Sequence, residues 1–146
     1  MRCFRLSWVC SWDCACLRSS AKKWLYRDFA VALAILVVYA VNRFLLKPVM
    51  PNHAIGYFLK CHFNDFLGGI LFPIYVNILI GIYLGKEKQM AHVMEFVCLG
   101  ILCALFWEAI APILLPYSTA DILDCIAYLA GSITCWKLYK YMDSKK

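Results

Sequence analysis

Four times along this chain the side chains stay apolar for long enough to decide which solvent can surround it. Residues 29–41 hold no charged or strongly polar side chain, and the stretch 66–85 is interrupted only by Asn77. A third stretch covers 93–115, unbroken over 96–107 and closing on Pro112 and Pro116, and a fourth covers 122–139. A hydrocarbon layer about 30 Å thick needs about 20 helical residues at a rise of 1.5 Å, so these stretches have the size of membrane spans.

Composition removes the soluble alternative. Of the 146 residues 64% are hydrophobic and 16% charged, against about half and about a quarter in an average soluble domain. One compact core of this chain length could not bury so much apolar surface without leaving large patches in water. The expected fold class is therefore all-α: an integral membrane bundle of four transmembrane helices over about 29–46, 66–85, 93–115 and 122–139, forming one domain from 24 to 146. Trp24, Tyr26, Arg27 and Lys47 have the amphipathic stems that extend a short first span into the headgroups. Pro73 removes a backbone donor inside the second span, which lipid tolerates only where a neighbour recovers the freed carbonyl. Gly81 and Gly85 have the small-xxx-small spacing of a close helix contact.

The formal net charge of +6 reads as topology rather than as a nucleic-acid surface, because the basic residues cluster at the two ends and in one short loop. With the N-terminus in the cytoplasm, the inner side collects Arg2, Arg5, Arg18, Lys22, Lys23, Arg27, Lys86, Lys88, Lys137, Lys140, Lys145 and Lys146. The outer side keeps Arg43, Lys47 and Lys60. By the positive-inside rule this predicts both termini inside the cell and outer loops at 46–65 and 116–121. Residues 1–23 are expected to be a basic cytoplasmic tail, disordered or translated from a start set too early, since Ser11, Trp12 and Asp13 break the apolar run a secretory signal needs.

Nine cysteines suggest a disulfide set until they are placed. Cys3, Cys10, Cys14 and Cys16 lie in the tail and Cys98, Cys103, Cys125 and Cys135 in apolar stretches, so most read as small apolar fillers. A Cys61–Cys125 bridge is the alternative. The tail cysteines lack zinc spacing and a nearby histidine, and no metal or cofactor is expected.

A charged carboxylate near mid-span costs about 2.5 to 3.5 kcal/mol to insert, so polar residues in or beside the spans are the functional candidates. His62, Asn64 and Asp65 enter the second span, Glu108 lies late in the third, and Asp121 and Asp124 open the fourth. In the topology above all six share the outer leaflet. Helical spacing puts Asp121, Asp124, Tyr128 and Gly131 on one face, where the glycine admits a close neighbour. Structural roles compete at several positions. Asp121 and Asp65 suit helix capping, His62 an interfacial site, Asn77 helix packing and Glu95 cytoplasmic water. Glu108 has no basic residue within a turn. Its expected partner is Arg43, His62 or, if Glu108 is neutral, Asp124.

Trp107, Glu108, Pro112 and Pro116, followed by Ser118, Thr119, Ala120, Asp121, Ile122, Leu123 and Asp124, then Tyr128 and Gly131, resemble the C-terminal half of the VanZ-like family of small bacterial membrane proteins. That family carries a glutamate late in one span, a short loop, and an aspartate opening the last span with a polar residue and a glycine behind it. Glu108, Asp124 and Gly131 match in order and approximate spacing. Tyr128 stands where asparagine is usual and Ala111 where glutamine is frequent, and the family's loop arginine is missing. The resemblance implies a place in the bacterial cell envelope and a link to glycopeptide antibiotic resistance.

Three readings of function follow. In the first, an outer-leaflet acidic cavity lined by Glu108, Asp124, Tyr128, Asp121, Asp65, His62 and Asn64 binds a polar headgroup, a cell-wall precursor, a glycopeptide or a cationic ligand, without catalysis. In the second, the same carboxylates and imidazole hold a divalent ion or work as acid and base in an envelope enzyme, although no nucleophile motif accompanies them. In the third, the chain is a subunit of a small homo-oligomeric transporter, joined through Gly81 with Gly85 and Ala127 with Gly131. Membrane lipid is a partner in all three.

Overall fold

The structure is a computed structural model describing the backbone of residues 7–49, 54–110, 113 and 121–145, with side chains at 23–49, 56–110, 113 and 121–145. The loop expected at 116–120, Ala111, both closing prolines of the third span and the tail cysteine side chains lie outside the described residues. Helix α1, Ser7–Val41, starts well ahead of the apolar stretch and continues through a π-helical turn, Asn42–Leu46, into a short segment, Lys47–Val49. The expected outer loop contains a helix of its own, α2, Ala54–Cys61. Helix α3, Phe63–Tyr83, follows after one residue. A 3-10 turn, Lys86–Lys88, leads to α4, Val93–Leu105, which ends in a second π-helical turn, Phe106–Ile110, and α5 is Ile122–Ser144. The described residues contain no strand.

Three helical stretches are long and apolar enough to cross a membrane: Lys23–Val49, Phe63–Tyr83 and Val93–Ile110. Helix α5 is not among them, because Asp124, Lys137, Lys140 and Asp143 dilute its 23 residues. Large apolar side chains face outward along α1 and α4, among them Leu33, Val37, Leu102 and Leu105. Each would cost about 1.5–3 kcal/mol to leave in water, and hydrocarbon removes that cost.

Helix α3 is the centre of the bundle. In its most apolar window 44% of residues are buried, against 6% for the first span and 22% for the third. It packs on α1 and α5, and α5 in turn packs on α4. The main core joins Leu67, Ile70, Ile74 and Ile78 of α3 with Phe96, Cys135 and Tyr139.

Small residues set the closest approach. A Cβ on Gly69 would collide with the backbone of Tyr128, and one on Gly131 with the carbonyl of Phe66. The expected glycine pair in α3 does something else. Gly81 leaves room for the ring of Trp24, while Gly85 lies beyond the helix in open space at φ +94° and turns the chain. The two therefore do not form a helix-contact motif, because the helix ends between them.

Candidate functional site

At one end of the bundle the expected residues converge from α3, the end of α4 and the start of α5. Asp121 caps α5: its side chain accepts from the amide of Leu123 at 2.9 Å, as free amides at a helix start require. One turn on, Asp124 accepts from Nδ1 of His62 at 2.6 Å. His62 is 4% exposed, at the junction of α2 and α3 beside Tyr57 and Phe58. Its Nε2 is buried without a partner among the described residues.

Glu108 does not pair with Arg43, His62 or Asp124. Its carboxylate accepts from the backbone amide of Asp121 at 2.6 Å, so the end of one helix is tied to the start of the next. Arg43 is exposed and forms no ion pair among the described residues. Glu108 is still within electrostatic range of Asp124, Asp65 and Asp121. Sequence could not supply its actual partner, since a backbone amide carries no residue signature.

Asp65 does not cap α3. The residue before that helix is His62, without a side-chain cap bond, and Asp65 accepts from the hydroxyl of Tyr128 at 2.7 Å. Asp124 stands beside it. His62, Asp124, Asp65 and Tyr128 thus form one polar row from the rim of the bundle inward. Asn64 turns the other way, accepting from Nδ2 of Asn42 at 2.7 Å.

Below this row lies a cavity of about 470 Å³, reached by Asn64, Asp65, Gly68 and Tyr128 at one end and by Leu71, Phe72 and Tyr75 along α3. Tyr39, Cys103 and Trp107 complete it from α1 and α4. His62, Asp121 and Asp124 bring one ligand atom each within 4.8 Å of one another, a set that could hold a metal ion.

Several polar residues escaped the sequence reading. Asn42 is 1% exposed in the π-helical turn of α1, and the only signal was its place at the end of an apolar run. Asp28 is fully buried at the opposite end, paired with Nε of Arg27 at 2.9 Å and accepting from Gln89 at 3.3 Å. An acid directly before thirteen apolar residues was the available clue. Asn77 does more than pack: its side-chain oxygen accepts from the amide of Met90 at 2.7 Å and fixes the turn into α4. Glu95 folds back onto the amides of Ala91 and His92, both at 2.8 Å, capping α4. Cys61, Cys98, Cys103, Cys125 and Cys135 are free thiols, so no Cys61–Cys125 bridge forms.

Comparison with family models, with curated proteins and with solved structures finds no match to this chain.

Proposed function

We propose that the chain is a multi-pass protein of the bacterial cell membrane, a four-helix bundle with both termini inside, that binds a cationic headgroup at its outer-leaflet cluster of acids, beside the cavity that Asp65 lines. One observation carries this reading. Asp65, Glu108, Asp121 and Asp124 gather from three helical elements against the single imidazole of His62, beside a cavity that can hold a ligand. Carboxylates so close in a low-dielectric setting repel one another, and a bound cation relieves the repulsion. A VanZ-like identity belongs to the same proposal, because Glu108 and Asp124, which carry the resemblance, both fall in the cluster. An amine-bearing lipid or cell-wall precursor is the ligand class that fits.

Contacts at the opposite end of the molecule are consistent with this topology. Arg27 pairs with Asp143 at 3.1 Å and Trp136 donates to the carbonyl of Ala91 at 3.2 Å. These contacts bring the base of the first span, the 84–92 turn and the end of α5 to one level, where basic residues collect. Asp65, Glu108, Asp121 and Asp124 gather at the other end. Helix α5 then crosses with Asp124, Tyr128 and Ser132 turned to its neighbours, which is how a less apolar helix is accommodated in lipid. The transporter reading loses its motivation, since Gly131 and Ala127 are buried within the chain itself.

The test is binding of choline and ethanolamine, against acetate and phosphate, to the purified chain in non-ionic detergent. Saturable cation binding that falls at least about tenfold in Asp124→Asn and Glu108→Gln is expected, a loss of about 1.4 kcal/mol. Equal binding of the anions rejects the proposal. A second reading, a divalent ion at His62, Asp121 and Asp124, is favoured by their mutual 4.8 Å spacing. Metal analysis of protein purified without chelators, with His62→Ala as control, decides it.

A further inference from the structure

The cavity beside the acids is shaped for something longer than a small cation. Its one carboxylate lies at one end, where Asp65 meets the Tyr128 hydroxyl. From there it follows α3 from position 64 to position 75, about 16 Å at 1.5 Å per residue. That distance carries it from the end of a span towards its middle. The far wall is Leu71, Phe72 and Tyr75.

The mouth of the cavity faces sideways. Tyr128 is 6% exposed and forms the floor, whereas Phe72 and Tyr75 of α3 and Trp107 at the end of the third span are 38%, 56% and 45% exposed. A ligand entering past them arrives from the hydrocarbon layer. One oxygen of Asp65 accepts from Tyr128, and Asp124 stands beside the same carboxylate. The carboxylate forms no ion pair among the described residues, Lys47 reaching it only over a distance. Tyr128 touches that end, and the rings of Tyr39 and Trp107 line the same cavity. Aromatic rings with one carboxylate attract an ammonium group, which is weakly hydrated when alkylated and needs no fixed coordination geometry. A hard divalent ion would require several oxygen ligands that this cavity lacks.

We infer that the cavity takes a cationic amphiphile from the membrane, its ammonium headgroup against Asp65 and the cavity's rings and its alkyl chain along Leu71, Phe72 and Tyr75. This rests on the cation-binding reading above and specifies its ligand.

The experiment uses the full chain in non-ionic micelles, titrated with radiolabelled dodecyltrimethylammonium. Saturable binding at one site is expected, weakened at least about tenfold by Asp65→Asn, which keeps the shape and the acceptor for Tyr128. Trp107→Ala should weaken it about fivefold or more, the loss of one cation–π partner. Melting temperatures of the ligand-free variants check that each is folded, and Tyr128→Phe, which keeps the ring, provides a second variant should Asp65→Asn not fold. Dodecanol, with the tail but no charge, should not compete, and choline, with the charge but no tail, should bind far more weakly. Choline binding as tightly as the amphiphile, or dodecanol competing equally, overturns the inference. Failure of dodecyltrimethylammonium while choline still binds and depends on Asp124 sinks the inference alone; failure of both sinks it together with the reading beneath it.

Discussion

The hydroxyl of Ser132 on α5 donates at 3.1 Å to the backbone carbonyl of Gly69 on α3. Gly69 lies four positions before Pro73, so this is the carbonyl whose helical donor the proline removes. In lipid an orphaned carbonyl has no water to turn to. The neighbouring helix supplies the missing donor, and it can do so because Gly69 and Gly131 let the two backbones touch.

Ser132→Ala should therefore destabilise the bundle by about 1–2 kcal/mol, the range for an interhelical hydrogen bond whose loss strands a buried acceptor. Pro73→Ala restores an amide at the right place. It should cost clearly less in the Ser132→Ala background than in the parent, giving a coupling of about 1 kcal/mol in a double-mutant cycle. Reversible unfolding in mixed micelles measures both. Strict additivity would show that the two residues do not share the carbonyl.

Glycine substitutions should separate packing from backbone strain. Gly131→Ala drives a methyl group into the carbonyl of Phe66 and the backbone of Gly69, and nothing there is a flexible side chain that could give way. The expected cost is about 3 kcal/mol or more, seen as loss of monodisperse protein. Gly85→Ala meets nothing within 4 Å, and its cost is the backbone strain alone, about 1–3 kcal/mol for a side chain in a region essentially reserved for glycine. Comparable melting temperatures for the two variants would contradict the crossing described.

How much of this could be read from the chain depended on whether the cause was local. The second and third spans were legible because apolar length is a property of consecutive residues, and Gly131 because helical spacing put it on the face of Asp124 and Tyr128. The level shared by the acids also followed from threading alone. Pairings did not. Glu108 found a backbone amide, Asp65 found a tyrosine on another helix, and Gly81 received a tryptophan ring rather than a helix. The fourth stretch is helical as expected, but its charged residues keep it outside the set that length and apolarity identify, and two of them, Asp124 and Asp143, find tertiary partners in His62 and Arg27.

The basic end contains a second buried charge whose removal should be asymmetric. Asp28 is fully buried and relies on Arg27 and Gln89. Arg27→Met leaves that carboxylate without its counter-charge and should destabilise the fold by about 2–3 kcal/mol, below the usual range for a buried pair because Arg27 is partly exposed. Asp28→Asn in the same background should recover much of the loss, since an amide needs no counter-ion. A double variant no more stable than Arg27→Met would mean that Arg27 acts through its stacking on Tyr139 instead.

Orientation offers the sharpest prediction, because every assignment of the acid cluster to the outer leaflet depends on it. Lys88 is exposed in the turn between α3 and α4, at the end of the bundle where Arg27 and Asp143 meet. Lys60 is exposed on α2, at the end where His62 meets Asp124. The insertion machinery retains lysine and arginine on the cytoplasmic side, and the basic residues at the Lys88 end outnumber those at the Lys60 end. With the native cysteines replaced, a membrane-impermeant maleimide applied to intact cells should label Lys60→Cys and leave Lys88→Cys untouched until the membrane is permeabilised. The reverse pattern would place the carboxylates of Glu108 and Asp124 at the cytoplasmic face, where no extracellular headgroup or cell-wall precursor could reach them.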